Sequence, residues 1–335
     1  MCVVIPTLAA DPALLDCLRS LEAQTFRDFE VIIVDNSGKQ SVRALGAPPR
    51  GERFRVIENP RNVGFGAAIN QGWRASTAPF VVALNDDAIA SPEWLAEMLT
   101  VAEKDREIGL IAAQVRLSDK ELDSAGMVIC GDGSSKQRGH GRPPEEFSRE
   151  EDVLMPTGSA ALYRRAMLED TGGFADEFFL YCEDTDLGLR ARWRGWRCVY
   201  APKALVWHGY SKTAGRASAL KALLVERNRL WMILRNYPSR MLWKAPLVSV
   251  VRYAWHVVCL FRGHGKTAEF ARSGGSGAGL RLPLLVLKAH WETLLRLPQL
   301  LRERGEIRRR AYLTPVQFER LLARHSITAR EVAAL

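Results

Sequence analysis

The sequence predicts an α/β protein with a mostly parallel central sheet flanked by helices, and three observations carry this. Apolar runs suited to burial on both faces, Val3–Ile5, Val31–Val34 and Phe80–Leu84, alternate with stretches of helical period. Each run ends in polar residues, respectively Pro6-Thr7, Asp35-Asn36-Ser37-Gly38 and Asn85-Asp86-Asp87; in open α/β sheets ligands bind at that carboxyl edge. The chain of 335 residues, 47% hydrophobic and 25% charged, has the composition of a folded protein and room for one large domain with an appendage.

Taken in order, Val3–Ile5 is a short buried strand. Asp11-Pro12 supplies an N-cap and a proline at the first helical position, and Leu14, Leu18 and Leu21 then share one helix face. Phe29–Val34 is the second strand. Arg53–Glu58 is the third, with Phe54, Val56 and Ile57 at its apolar positions. A helix over 67–75, the strand Phe80–Leu84, a helix over 92–104 and a strand over 108–113 complete the alternation expected of a parallel, helix-covered sheet.

Carboxylates cannot sit inside a doubly buried strand, so Asp86 and Asp87 must emerge at its end. Adjacent carboxylates repel and favour a cation, and the hard ions Mg and Mn take oxygen ligands. The alternative is a strand-to-helix turn, with Ser91-Pro92-Glu93 as cap and first turn. Asp35 is either an acceptor for a ribose or base or a helix cap. Gly64-Phe65-Gly66 lacks the full G-x-G-x-x-G spacing and follows the wrong strand, which excludes an ordinary dinucleotide-binding half.

Residues 114–152, rich in Gly, Ser and charge, are expected to form a long loop, either a mobile flap over the site or a solvent-exposed connection. Small residues in Thr157-Gly158-Ser159-Ala160 then allow close backbone approach before a strand. Glu183-Asp184-Thr185-Asp186 sets three carboxylates at a helix start. The positive helix end favours some of them, while mutual repulsion raises the proton affinity of at least one, as a general base requires. The alternative is a capping cluster answered by Arg190 and Arg192. His208, after the apolar strand 199–201, is either a structural histidine or a metal ligand.

Val4-Ile5-Pro6-Thr7, Val34-Asp35-Asn36-Ser37, Asn62-Val63-Gly64-Phe65-Gly66 and Leu84-Asn85-Asp86-Asp87 together resemble glycosyltransferase family 2, inverting enzymes with a GT-A fold. Thr157-Gly158-Ser159-Ala160, the G-G-F-x-x-x-F-F run 172–179 and the E-D-x-D-L-x-x-R run 183–190 resemble its rhamnosyltransferase-like branch. The resemblance covers residues 2–235. It implies that Pro6, Thr7, Asp35, Asn36 and the segment holding Asn62, Gly64 and Phe65 line the nucleotide pocket, with Gly158 and Ser159 near the substrates. Asn85-Asp86-Asp87 stands where the family has D-x-D: Asp87 as main metal ligand, Asp86 as a sugar or ribose contact, and Asn85 as a departure from the pattern. Asp184 is implied as the catalytic base, Glu183 as its neighbour orienting the acceptor, and Asp186 as a helix-start carboxylate paired with Arg190. His208 would ligate the metal or touch the diphosphate, and Ser211 and Lys212 would contact the pyrophosphate. The Q-x-x-R-W of processive synthases is absent from Arg190–Trp196, so one or few sugars per encounter are expected.

The remainder reads as helices over 220–236, 246–261 and 280–301. The second falls short of the length needed to span a bilayer. In the third, Lys288, Glu292 and Arg296 recur every four residues on one face, and five further arginines follow over 302–310. This is an amphipathic helix with a basic polar side, suited to an anionic membrane interface; the alternative is a helical hairpin packed on the catalytic domain or a second subunit. Charge is divided to match, with 31 acidic against 19 basic residues over 1–186 and 7 against 28 over 187–335. No zinc-finger, RNP or helix-turn-helix signature directs that charge to nucleic acid.

The expected organisation is therefore a catalytic domain over 1–235, with a nucleotide-sugar half (1–113) and an acceptor half (114–235), and a basic helical region over 236–335. Six scattered cysteines without C-x-x-C spacing suggest a reducing compartment. With no leader pattern at the start, the expected location is cytoplasmic, peripheral on the inner face of the cell membrane. The expected reaction transfers a sugar from a nucleotide-diphosphate donor to a saccharide or polyprenyl-linked acceptor with Mg or Mn. The competing expectations are a sugar nucleotidyltransferase, disfavoured by Pro6–Ala10 where a Gly-rich loop belongs, and a non-catalytic membrane-bound scaffold.

Overall fold

The computed structural model describes residues 1–46, 53–208, 218–263 and 278–334. In chain order the strands are β1 (Cys2–Thr7), β2 (Glu30–Asp35), β3 (Phe54–Glu58), β4 (Phe80–Leu84), β5 (Ala88–Ala90), β6 (Ile108–Ser118), β7 (Glu121–Ser124), β8 (Met127–Ile129), β9 (Ser135–Gln137), β10 (Glu151–Asp152), β11 (Ala160–Arg164) and β12 (Arg197–His208). The helices are α1 (Pro12–Glu22), α2 (Ser41–Ala44), α3 (Phe65–Arg74), α4 (Trp94–Ala102), α5 (Arg165–Thr171), α6 (Glu183–Trp193), α7 (Ala219–Asn236), α8 (Ser239–Phe261), α9 (Ala278–Arg309), α10 (Pro315–Arg324) and α11 (Ala329–Ala334). They fall into two units, Met1–Met127 with Gln137–Thr213, and Val128–Lys136 with Ala214–Leu335; α7 clusters with the second.

The first unit is built on a ten-stranded sheet in the order β10-β12-β6-β11-β4-β1-β2-β3, with β5 on β12 and β7 on β6. The block β4-β1-β2-β3 is parallel, as is the β6–β12 pair, and antiparallel β11 joins them. β4 is apolar at every position because both faces are covered. Val82 and Leu84 face a core with Leu14, Leu18, Trp94 and Met98 from α1 and α4, whereas Val81 and Ala83 face one with Ala68, Ile69, Met167 and Leu187 from α3, α5 and α6. Each fully buried aliphatic side chain contributes about 1.5–3 kcal/mol, so the register of these strands is strongly specified. Asp11 caps α1 as expected, its Oδ1 accepting from Ala13 N at 2.8 Å with Pro12 next in line.

Residues 114–152 correct the sequence reading. They are not a long loop: β6 continues to Ser118, and β7, β8, β9, a 3-10 turn over Pro144–Phe147 and β10 follow, much of it buried. Polar residues that signalled a loop are internal and paired. Asp123 is buried and meets His140, and Ser124 Oγ donates to Gly126 O at 2.7 Å. Ala88–Ala90 forms a further strand, and the helix expected over 92–104 begins at Trp94.

Within the second unit α9 packs along α7 and α11 along α8. Among the described residues no helix is long and apolar enough to cross a membrane.

Candidate active site

Parallel registration brings the polar strand ends to one edge. Thr7 of β1 pairs with Asp35 of β2, and β4 delivers Asn85-Asp86-Asp87 beside them. Antiparallel β11 returns to the same edge with Ala160 opposite Leu84, and Asn85 N donates to Ser159 O at 2.9 Å. β5 pairs antiparallel with the end of β12, setting His208 opposite Ala88. That pairing places His208 Nε2 3.2 Å from Asp87 Oδ1 and 3.0 Å from Asn85 Nδ2.

On the far side of the imidazole stands Asp123, which the sequence did not reveal. Its Oδ2 lies 3.4 Å from His208 Nδ1 and its Oδ1 3.2 Å from His140 Nδ1. Burial alone would lower the His208 pKa, but Asp123 and Asp87 outweigh it and lift it to about 9. Asp123 is held down at about 2: burial opposes ionisation, and the two histidines overcome it. Burial, with the charge of Asp87 acting in the same direction, pushes Asp86 up to about 6 against an opposing pull from Thr7.

Among the described residues, no cluster of three His, Cys, Asp or Glu side chains forms a ready metal cage. The donors present are one carboxylate and one imidazole, in contact, with a second carboxylate on the other ring nitrogen. This set fits a divalent ion that takes its remaining ligands from substrate phosphates and water, and a carboxylate on the distal nitrogen is the usual device for orienting a ligating histidine.

Asp184 lies at the start of α6, and the backbone donates to it from two sides. Gly158 N reaches Oδ2 at 3.0 Å and Thr185 N reaches Oδ1 at 2.6 Å. Gly158-Ser159 therefore ties Asp184 to the Asn85–Asp87 edge. A side chain at Gly158 would meet Phe65 Cε1 at 3.0 Å, which accounts for the glycine. Burial raises the Asp184 pKa, with the Gly158 and Thr185 hydrogen bonds opposing. Glu183 differs: its side chain is buried, Oε2 has no hydrogen-bond partner among the described residues, and burial and then the charge of Asp184 push its pKa well up. Asp184 is only half-buried. Before this pair, Phe179, Tyr181 and Cys182 adopt φ of 63°, 70° and 65°, a concentration of non-glycine residues in the left-handed region that marks stored strain at a site.

Asp35 is buried, and its carboxylate accepts from Ser37 N and Val42 N, each at 2.9 Å. These bonds outweigh burial and lower its pKa. The capping alternative thus describes its present partners. Asn36 Oδ1 accepts from Asn59 Nδ2 at 2.8 Å, and Asn62 Oδ1 accepts from Gly64 N at 2.9 Å. Phe65 N donates to Phe179 O at 2.9 Å, so the segment around Asn62–Phe65 is tied to the one preceding Glu183. Pro6 is half-buried next to Thr7. Asp186 and Arg190 pair as expected, at 2.7 Å, but both are buried, and Arg190 also donates to Thr171 O and Gly173 O. They anchor the helix start instead of reaching an open substrate site. Ser211 and Lys212 lie outside the described residues.

The family model described as "Glycosyltransferase like family 2" matches residues 1–232. The chain belongs to this family. It is a glycosyltransferase of GT-A fold, and the nucleotidyltransferase expectation falls away. It is similar to an N-acetylglucosaminyl-diphospho-decaprenol L-rhamnosyltransferase of Mycobacterium tuberculosis, 27% identical over 274 residues, covering 75% of this chain and 88% of the relative. It also resembles the O-antigen biosynthesis protein RfbC of Myxococcus xanthus, 26% identical, covering 65% of this chain and 18% of that protein. Among solved structures, GalNAc-T7 with UDP, GalNAc and Mn2+ superposes with a TM-score of 0.60 at 14% identity, covering 75% of this chain and 50% of that one. A mannosyltransferase from Pyrobaculum calidifontis in complex with GDP-Man and Mn2+ gives 0.52 at 16% identity, covering 99% and 85%. At these identities the structural likeness concerns the fold.

Proposed function

We propose that this glycosyltransferase inverts the anomeric centre of a sugar, rhamnose, as it moves it from a nucleoside-diphosphate donor to a polyprenyl-linked saccharide in cell-surface polysaccharide synthesis. The carrying observation is Asp184, a half-buried carboxylate oriented by two backbone N–H groups and tied through Gly158-Ser159 to the Asn85–Asp87 edge. In this reading Asp184 takes the proton of an acceptor hydroxyl while that oxygen attacks the anomeric carbon. The bond to the diphosphate breaks on the opposite face, and the nucleoside diphosphate leaves. Burial, and then the charge of Asp184, favour the neutral form of Glu183, which limits charge repulsion beside the base. Asp87 and His208 would hold Mg or Mn, which when bound neutralises charge on the leaving diphosphate. Asp86, Thr7, Asn36 and the backbone of Asn62–Phe65 bound the donor pocket, and holding both substrates in line supplies the orientation the reaction needs.

The activity named for the mycobacterial relative supports rhamnose as the sugar and a lipid diphosphate as the acceptor's anchor. The metal in the two structural neighbours is consistent with the ion assigned to Asp87 and His208. In this reading residues 1–113 serve the donor and 114–235 the acceptor, while 236–335 keep the chain at the inner membrane surface. The test is donor binding and hydrolysis across a panel of nucleotide sugars with Mn, Mg or chelator. Metal-dependent binding of a deoxythymidine-diphosphate rhamnose donor is expected. Binding of no nucleotide sugar, or binding indifferent to chelator, overturns the assignment.

A further inference from the structure

Helix α9 is turned opposite to an ordinary surface helix. Its charged side faces α7: Arg227 Nη1 donates to Glu292 Oε2 at 3.4 Å, Arg296 lies 4.6 Å over the Trp231 ring, and Arg235 pairs with Glu303 at 3.3 Å. Arg304 donates to Leu234 O and Tyr237 O, and Arg308 to Asn236 O, so two of the arginines that follow the apolar stretch answer the negative carbonyl end of α7. The side left outward is apolar, with Leu284, Leu287, Trp291 and Leu294 all more than half exposed at spacings of three and four.

Helix α8 does the same. Trp243, Leu247, Val250, Val257 and Phe261 form one exposed stripe, Trp243 and Phe261 each 87% accessible, with Ala254 filling the remaining step. The opposite side holds Arg252, which donates to Asp132 at 2.6 Å and Glu226 at 3.0 Å in a buried ionic network with Arg229. Charged side chains packed inward and apolar stripes turned outward, with exposed cations at their edges, invert the arrangement water imposes, and apolar patches of this kind mark an interaction surface.

We propose that the outward stripes of α8 and α9 insert, lying in the plane, into the headgroup and upper acyl region of an anionic phospholipid leaflet. This deepens, and rests on, the membrane-surface part of the proposed function. Charge selects the occupant. Residues 214–335 hold 22 basic against 7 acidic residues. Arg240 and Lys244 flank one end of the α8 stripe and Arg262 the other, while Lys288 and Arg302 are exposed on α9. A second copy would bring like charge against like, whereas an anionic leaflet accepts both the cations and the apolar stripe. A groove of about 460 Å³ lies beside the stripe, its wall holding Arg296 and Arg302 with Glu292 and Gln299 as well as the apolar Trp231, Leu295 and Pro298, so its cations outnumber its one carboxylate. Trp243 and Trp291 suit the interface, where indole rings partition between water and lipid.

The test uses the full chain and vesicles of phosphatidylcholine with or without phosphatidylglycerol. The variant is Leu247→Gln/Val250→Gln, which leaves net charge unchanged and alters only exposed positions. Wild type is expected to co-sediment with the anionic vesicles at least tenfold more strongly than with the neutral ones. The variant is expected to lose at least tenfold of that binding, with circular dichroism and donor hydrolysis in lipid-free solution unchanged. Vesicle binding equal to wild type in the variant overturns the proposal. So does a wild-type dimer that the variant makes monomeric with no vesicle binding, since the stripe would then be a self-interface. Vesicle binding without turnover of any donor would instead refute the proposed function and leave this surface standing.

Discussion

Replacing Glu183 by Gln should stabilise the protein above pH 5 and flatten its pH dependence. Glu183 is 6% exposed, one of its oxygens has no partner among the described residues, and burial with the neighbouring Asp184 charge raises its pKa well above the ordinary value. A carboxyl raised in the fold keeps a proton that the unfolded chain releases. Its stability contribution is therefore complete below the ordinary glutamate range and is lost as pH rises towards the folded pKa. The limiting slope is about 1.4 kcal/mol per pH unit for one proton, so wild type should lose stability relative to Glu183→Gln at up to that slope as pH rises from the ordinary glutamate range towards the folded pKa. The amide has the shape of the protonated acid and no charge to bury, so the variant escapes that loss. Urea unfolding of both proteins at pH 5, 6 and 7 measures the difference. Parallel curves, or a variant less stable than wild type at pH 7, would refute a protonated Glu183.

Gly64→Ala should cost about 2–4 kcal/mol in thermal unfolding, because φ is +90° and the new Cβ would lie 2.2 Å from Phe179 O; a change under half a kcal/mol would contradict that close approach. Arg190→Met should cost about 3–5 kcal/mol by removing the cation that answers the buried Asp186 at 2.7 Å, and adding Asp186→Leu should recover a large share. Asp123→Asn should weaken Mn binding about 10–100-fold in a titration with donor present, since Asp123 orients His208 from behind; unchanged affinity would remove His208 from the ligand set.

Local features of the fold are legible in the amino-acid sequence. The doubly apolar Phe80–Leu84, the Asp11-Pro12 cap and the Asp186–Arg190 spacing follow from local periodicity and from interactions within a few residues. What is not legible depends on distant partners. β5 has three residues and exists because β12, more than a hundred positions later, pairs with it. Residues 114–152 look like a loop in composition, yet Asp123 is buried because His140 and His208 compensate its charge. Periodicity in α9 separates a charged face from an apolar one without saying which faces inward; Trp231, Arg227 and Arg235 of α7 decide that. For the site, sequence order brings Asp184 and Asn85–Asp87 to notice separately. Their connection runs through Gly158-Ser159, a backbone link that no side-chain pattern announces.

The most direct measurement is donor turnover at saturating donor and metal by wild type, Asp184→Asn and Glu183→Gln, with donor affinity measured alongside. A base at Asp184 predicts a loss of about 10²–10⁴ in kcat for Asp184→Asn, donor affinity within a few fold of wild type, and turnover largely kept by Glu183→Gln. Asp184→Asn within tenfold of wild type, with Glu183→Gln inactive, would contradict it and move the base to Glu183.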